Sequence, residues 1–259
     1  MITISQELLL GWVNGLLLPL TRILGLIAIA PIFGHRSVPR RVKLGLALAL
    51  TLIVAPTLPS HAAFDPLTLP GALILAQQLL IGVAMGFSMR IVFAGVEMAG
   101  QVIGMTMGLG FAIFFNPMTQ GQSSPIGQFY MMIAMLLFLS MNGHLQLLAT
   151  LIQSFDSLPI SLAGSNKLNF FAIAQWGEII FRAAVQISLP VVAALLVTNI
   201  ALGILTRTAP QLNLFGIGFP ITIFVGLLMV ALAFASMEAP LGHYIETGLN
   251  QSQRIANPG

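Results

Sequence analysis

The chain has 259 residues, of which 57% are hydrophobic and 7% are charged, with a formal net charge of +3. Soluble domains carry roughly 25% charged residues, so this composition excludes an ordinary soluble monomer and predicts an all-α, membrane-class protein with six or seven apolar spans. The absence of cysteine excludes disulfides and thiol chemistry, and the small, scattered positive excess gives no indication of nucleic acid as a partner.

Seven apolar stretches follow one another along the chain. The second is short and ends near Pro56, so it need not span a membrane alone. The third and fourth are separated by little beyond Glu97, which allows either one long helix or a tight hairpin. Pro190 predicts a kink in the sixth. The stretches are Leu8–Phe33, Leu44–Leu58, Gly71–Phe93, Val96–Phe115, Phe129–Leu151, Phe170–Leu205 and Leu214–Met237.

The first polar connection, 34–43, is strongly basic. It holds Arg36, Arg40, Arg41 and Lys43, which are four of the ten basic residues. Short loops rich in arginine and lysine usually stay on the cytoplasmic side of a membrane. The pattern therefore predicts that this loop faces the cytoplasm.

Several charged residues lie inside the apolar stretches. Glu178 and Arg182 are four residues apart, which favours an intrahelical ion pair, and Arg90 and Glu97 share one helix face two turns apart. Charges in such segments usually face protein or water. Two interpretations stay open: ion pairs within or between helices, or a pathway for protons or ions.

The sequence argues against an enzyme. The four histidines, at 35, 61, 144 and 243, are far apart, and neither metal-ligand spacing nor a phosphate-binding glycine loop is present. We therefore expect no catalytic residue, no metal and no cofactor.

Glycine and methionine are concentrated in the middle of the chain. Gly100, Gly104 and Gly108 form two overlapping Gly-x-x-x-Gly units, whose groove can receive another helix of this chain or of another subunit. Ten of the thirteen methionines lie between Met85 and Met141. Methionine fills irregular space, so these side chains suit either a core or an adaptable partner surface.

A phenylalanine-rich loop follows at 108–128, with the sequence GLGFAIFFNPMTQGQSSPIGQ. Two glycines free the backbone, three phenylalanines cluster, and Asn116-Pro117 forces a turn. The phenylalanines could anchor the loop at an interface. They could equally fill a pore, because an apolar constriction blocks ions by dewetting.

The segment TRTAPQLNLFGIGFP, 206–220, is polar although apolar runs flank it. Pro210 removes an amide donor and leaves carbonyls of the preceding turn without partners. Arg207, Thr208, Gln211 and Asn213 can supply the missing hydrogen bonds, or can bond to a neighbouring chain. A broken helix of this kind fits a transporter ion site and also a docking joint.

Four blocks of the sequence resemble the FliR/SctT family of type III secretion export-gate subunits. They are RTAPQLNLFGIGFP at 207–220, APIFGHRSVPRRVKLGLAL at 30–48, EMAGQVIGMTMGLGFAIFFNP at 97–117 and NGH at 142–144. The blocks occur in family order and extend along most of the chain.

The resemblance implies one all-helical subunit, 1–259, made of broken helices and hairpins and similar to a fusion of two smaller gate subunits. It implies a single copy assembled with FliP-type and FliQ-type subunits, with FlhB-type and FlhA-type components, unfolded flagellar substrates and membrane lipid as further partners. The expected location is the bacterial inner membrane and flagellar basal body, with the core largely beyond the bilayer plane on the periplasmic side.

The resemblance also assigns roles to residues. The subunit would help form and seal the channel for unfolded flagellar proteins, and the alternative is a small-solute secondary transporter that binds near Pro210. The residues expected at the channel plug or gate are Met105, Met107, Gly108, Gly110, Phe111, Phe114, Phe115, Asn116 and Pro117. Those expected in subunit packing or the joint are Gly100, Gly104, Arg207, Pro210, Gln211 and Asn213.

Overall fold

A computed structural model describes residues 6–58, 66, 68–110, 124–160, 170–209 and 214–257. Within these ranges the regular structure is helical, which confirms the predicted all-α class. Two short helical turns, Ala55–Thr57 and Leu214–Gly218, accompany the main helices. The main helices are α1 (Gln6–Ile29), α2 (Arg40–Val54), α3 (Leu69–Thr106), α4 (Pro125–Ser140), α5 (Gly143–Ser157), α6 (Phe170–Gln175), α7 (Glu178–Thr208), α8 (Phe219–Phe234) and α9 (Glu238–Ala256).

Helix α3 settles the ambiguity of the third and fourth apolar stretches. It runs unbroken for 38 residues from Leu69 to Thr106, a length of about 57 Å. After Pro70 the helix contains no proline, so every turn can keep its backbone hydrogen bonds. The two stretches therefore form one helix.

The fifth apolar stretch, by contrast, is broken into α4 and α5. Asn142 has a left-handed backbone with φ of 55°, a conformation that asparagine tolerates better than most residues. Gly143 then begins α5. The sequence interpretation treated this stretch as a single run and missed the break.

The number of potential membrane spans is smaller than the six or seven predicted from composition. Among the described residues, three helical segments are long and apolar enough to cross a membrane, or four if α4 and α5 count as one broken span. The estimate from composition counted short and interrupted helices, such as α2 and the pair α4 and α5, as full spans. The three segments are Leu69–Thr106, Phe171–Thr208 and Gly216–Phe234.

The chain divides into two compact units, and α3 and α9 each contribute to both. In the first unit, α1 and α3 cross with almost no space between their backbones. A Cβ added at Gly25 would lie 2.6 Å from the Leu79 carbonyl oxygen, and one at Gly86 would lie 2.9 Å from the Leu26 carbonyl oxygen; Gly82 lies against the Arg22 carbonyl. The unit comprises Met1–Ile91, Asn142–Trp176 and Glu246–Gly259.

In the second unit, α3 packs closely against α7, again at a glycine. A Cβ at Gly95 would lie 3.0 Å from the Ala183 side chain. Tyr244 of α9 donates a hydrogen bond to Gln186 Oε1 of α7 at 2.6 Å. Burial raises the pKa of the Tyr244 hydroxyl, and the Arg182 charge partly offsets this, so the hydroxyl stays protonated and remains a donor. The unit comprises Val92–Met141 and Gly177–Ile245.

Candidate functional site

The first half of the candidate site is the C-terminal end of α3, where the phenylalanine-rich loop begins. The Gly108 amide donates to Met105 O at 3.0 Å and the Leu109 amide donates to Gly104 O at 2.9 Å. This pair of bonds is the Schellman arrangement, which requires a left-handed residue just after the helix. Gly108 meets that requirement with φ of 89°, so the helix ends at a defined point.

Met107 fixes this end of α3 onto α8. Its side chain is fully buried, and a Cβ added at Gly226 would lie 2.5 Å from Met107 Cγ. Thr222 Oγ1 donates to Met107 O at 3.1 Å. The side chain of Met107 therefore fills a notch in α8, and its place at the gate stays a prediction. Met105, two residues earlier, is 65% exposed, and its place at the gate also stays a prediction.

The two glycines at the start of the loop, Gly108 and Gly110, differ in the space around them. A Cβ at Gly108 would lie 2.7 Å from Cε2 of the Phe219 ring, so this residue is held by its backbone turn and by its neighbour. A Cβ at Gly110 would meet nothing closer than Met105 Cγ at 4.0 Å. The surroundings of Gly108 are therefore tighter than those of Gly110, and the expectation that both glycines let the loop yield stays a prediction.

The second half of the site is the N-terminal end of α4, where the loop returns. Ser124 caps α4 by accepting a bond from the Gly127 amide at 3.0 Å, and its hydroxyl donates to Gly100 O at 3.3 Å. A Cβ at Gly100 would lie 2.5 Å from Gly127 Cα. At Gly104 a Cβ would lie 3.1 Å from Ser124 Oγ.

These contacts show one of the two uses of the Gly-x-x-x-Gly groove that the sequence left open. At Gly100 and Gly104 the groove receives the N-terminal end of α4 of the same chain, and packing against another subunit stays a prediction. Both ends of the loop also lie beside Gly104, because Leu109 bonds to its carbonyl and Ser124 sits over its Cα. Leu109 and Ser124, which are described residues on either side of 111–123, therefore lie close to the same residue.

Five of the residues predicted for the plug lie outside the described residues, and the same holds for three of the residues predicted for the joint. The first group is Phe111, Phe114, Phe115, Asn116 and Pro117, and the second is Pro210, Gln211 and Asn213.

The described part of the polar joint is the end of α7. Thr208 Oγ1 donates to Leu205 O at 3.0 Å, and the Ala209 amide donates to the same carbonyl at 2.8 Å. The Leu205 carbonyl in the last turn of α7 therefore finds its donors within the chain, which is one of the two arrangements expected from the sequence. Arg207 is exposed, and it makes no hydrogen bond or ion pair with the described part of the chain. Its charge at a helix C-terminus is favourable.

The predicted ion pair of α7 is present. Arg182 Nη2 lies 3.1 Å from Glu178 Oε1, with side chains that are 63% and 67% exposed. Arg90 is exposed and forms no ion pair within the described ranges, whereas Glu97 is half-buried. Among the described residues, no three histidine, aspartate or glutamate side chains lie close enough together to hold a metal ion.

The sequence interpretation missed the surroundings of Arg22, which form a polar centre in the first unit. The guanidinium is fully buried and donates to Gln78 Oε1 at 2.8 Å, to Ser154 O at 2.7 Å and to Leu158 O at 2.8 Å. It also lies 4.3 Å from the centroid of the Phe155 ring. Arg22 thereby ties α1 to α3 and to the C-terminal end of α5. A lone arginine in an apolar run was the available signal.

Comparison with known proteins places these features in a family. The model of the bacterial export proteins, family 1, matches residues 13–248. The flagellar biosynthetic protein FliR of Escherichia coli K12 is 43% identical over 95% of this chain and 93% of its own length. The corresponding proteins of Bacillus subtilis and Aquifex aeolicus are 35% identical over 83% of both chains, and 29% identical over 93% and 92%.

The family model covers α3, both ends of the loop and the polar joint. They give no support to the alternative of a small-solute transporter. The chain belongs to the bacterial export proteins, family 1, together with the flagellar biosynthetic proteins FliR.

Proposed function

We propose that this chain is a core subunit of the flagellar type III export gate, which helps form and seal the channel for unfolded flagellar proteins. The family and the names of its relatives support the assignment to flagellar export. The observation that supports the sealing role is that Leu109 and Ser124, on either side of 111–123, both contact Gly104. Rigid ends can hold a short loop at one place in a channel.

In this proposal the seal is apolar. Phe111, Phe114 and Phe115 form a constriction narrow enough to exclude water, and an ion cannot pass without its hydration shell. Gly110 provides the backbone freedom to displace the loop when a polypeptide passes, since it has room that Gly108 lacks. Met105, whose side chain is exposed beside the start of the loop, lines the channel next to the constriction.

The partners are inferred from the exposed apolar surface. The most apolar windows of the segments Phe171–Thr208 and Gly216–Phe234 bury only 28% and 22% of their residues within the chain. Such a surface requires cover by lipid or by apolar protein. We assign it to FliP-type and FliQ-type subunits around a single copy of this chain, with lipid at the periphery and FlhB-type and FlhA-type components nearby.

The chain has a structural and not a catalytic role in this scheme, and the energy for export comes from other components. Its place is the inner membrane within the flagellar basal body, with the assembled core extending to the periplasmic side. The exposed guanidinium of Arg207 is available for a hydrogen bond to a neighbouring subunit. We assign Pro210, Gln211 and Asn213 to the same joint.

Native mass spectrometry tests the assembly. The tagged chain is coexpressed with its neighbouring genes and extracted in mild detergent, and the account predicts one copy bound to several copies of two small hydrophobic proteins. A monomer or a homo-oligomer would contradict the proposal.

Arg207→Ala tests the joint within the same measurement. We expect this variant to retain fewer partner subunits, because it loses the exposed donor at the end of α7. Arg90→Ala is the matched control, since Arg90 is also exposed on an apolar helix. Equal retention of partners by both variants would mean that Arg207 acts only within its own helix.

A further inference from the structure

Helix α2 combines a basic end with an apolar face that the described residues leave uncovered. Ala47, Thr51 and Val54 are its buried residues. The opposite side exposes large apolar side chains at fractions between 49% and 68%. These side chains are Val42, Leu44, Leu48, Leu52 and Ile53.

The basic end has no acidic partner within the described residues. Arg36, Arg40 and Arg41 are exposed, and their side chains make no hydrogen bond or ion pair with any described residue. Lys43 instead donates to Gly34 O at 2.9 Å. The sequence from 8 to 64 contains no aspartate or glutamate, so the surrounding chain offers no local counter-charge.

The position of the arginines makes an external anion favourable. Arg40 and Arg41 lie in the first turn of α2, where no acidic residue is present. The N-terminus of a helix carries a partial positive charge, so two cations there repel the helix dipole as well as each other. A negatively charged surface next to this turn would remove both penalties.

The length of α2 indicates how it meets a membrane. Its 15 residues extend about 22 Å, less than the roughly 30 Å of a bilayer core, and Pro56 follows directly. The helix is therefore too short to cross. A helix with basic residues at one end and exposed leucines along one face suits the boundary between headgroups and acyl chains.

We infer that α2 binds the anionic surface of a phospholipid bilayer, with Arg36, Arg40 and Arg41 at the headgroups and Leu48 and Leu52 against the acyl chains. The charge complementarity of the three unpaired guanidinium groups favours anionic lipid over an apolar protein partner. This lipid contact is independent of the loop at 111–123 and of the sealing role.

Lipid titration followed by native mass spectrometry tests the inference on the full-length protein with its copurified subunits. Phosphatidylglycerol and phosphatidylcholine are compared for the natural chain, for R36Q/R40Q/R41Q and for the control R90Q/R182Q/R254Q, which also removes three exposed arginine charges. Each arginine near an anionic surface contributes about fivefold in affinity, so the first variant should lose roughly 100-fold for phosphatidylglycerol at low salt. The control should change by less than about twofold.

Three outcomes would overturn the inference. The first is equal affinity of the natural chain for the two lipids, and the second is an equal loss in both variants. The third concerns the apolar face, tested with a photoreactive residue in place of Leu48 in native membranes. The inference predicts a crosslink to lipid, and the absence of any lipid crosslink would overturn it. Crosslinking to protein alone would identify a protein partner on this face instead.

Discussion

The close packing of α3 against α4 predicts that Gly100→Ala lowers the free energy of unfolding. Gly100→Ala adds one methyl group at a point 2.5 Å from Gly127 Cα, 2.7 Å from the Gly127 amide nitrogen and 2.8 Å from Ile126 O. Ordinary contact with a methyl group begins at 3.4 Å, so the α4 backbone would have to move by nearly 1 Å. All three obstacles are backbone atoms, which cannot turn away as a flexible side chain can.

The magnitude follows from two opposing effects. Overpacking a tight contact costs about 1–3 kcal/mol, and the upper part of that range applies because the backbone itself must shift. Alanine in place of glycine inside a helix gains about 1 kcal/mol. The free energy of unfolding should therefore fall by about 1–2 kcal/mol. The shift would also displace Ser124 and with it the end of the loop.

Gly203→Ala is the matched control, because Gly203 lies inside α7 and has nothing within 4 Å of an added Cβ. This variant should gain up to about 1 kcal/mol from helix propensity alone. Thermal unfolding of the two purified variants in one detergent should show melting temperatures displaced in opposite directions, by about 2–4 °C per kcal/mol. Displacement in the same direction, or no difference between them, would refute the packing argument at Gly100.

Two further predictions concern buried hydrogen bonds. Arg22→Met should lower the free energy of unfolding by about 3 kcal/mol or more, since Gln78 Oε1 and two carbonyl oxygens lose a buried donor. Thermal unfolding measures this, and a variant as stable as the natural chain would contradict the role of Arg22. Thr222→Val keeps the shape of the side chain but removes its hydrogen bond to Met107 O. The free energy of unfolding should fall by about 0.5–1.5 kcal/mol. Amide exchange should rise at residues 107–110, and unchanged exchange there would mean that Thr222 does not hold the end of α3.

The sequence predicted features that depend on neighbours along one helix. The ion pair of Glu178 and Arg182 is confirmed because residues four apart share a helix face. Close packing at Gly100 and Gly104 was also expected, although the sequence could not identify the helix that fills the groove. The Asn142-Gly143 dipeptide is a turn signal inside an apolar run, and it could have predicted the break between α4 and α5.

Features that depend on distant contacts could not be predicted. Met105 and Met107 look alike in the sequence, yet only Met107 is buried, because Gly226 opens a notch on a helix more than 100 residues away. The partners of Arg22 are 56, 132 and 136 residues distant along the chain. Hydropathy records how apolar a segment is, and not which segments meet.

The central claim is that the phenylalanines of the loop seal a channel, and ion conductance tests it most directly. The assembled complex is placed in a planar bilayer with either F111S/F114S/F115S or the control F87S/F129S, which replaces two exposed phenylalanines outside the segments assigned to partner subunits. The account predicts a raised resting conductance only for the loop variant, because a wetted constriction admits ions. A loop variant that assembles normally and conducts no more than the control would contradict it.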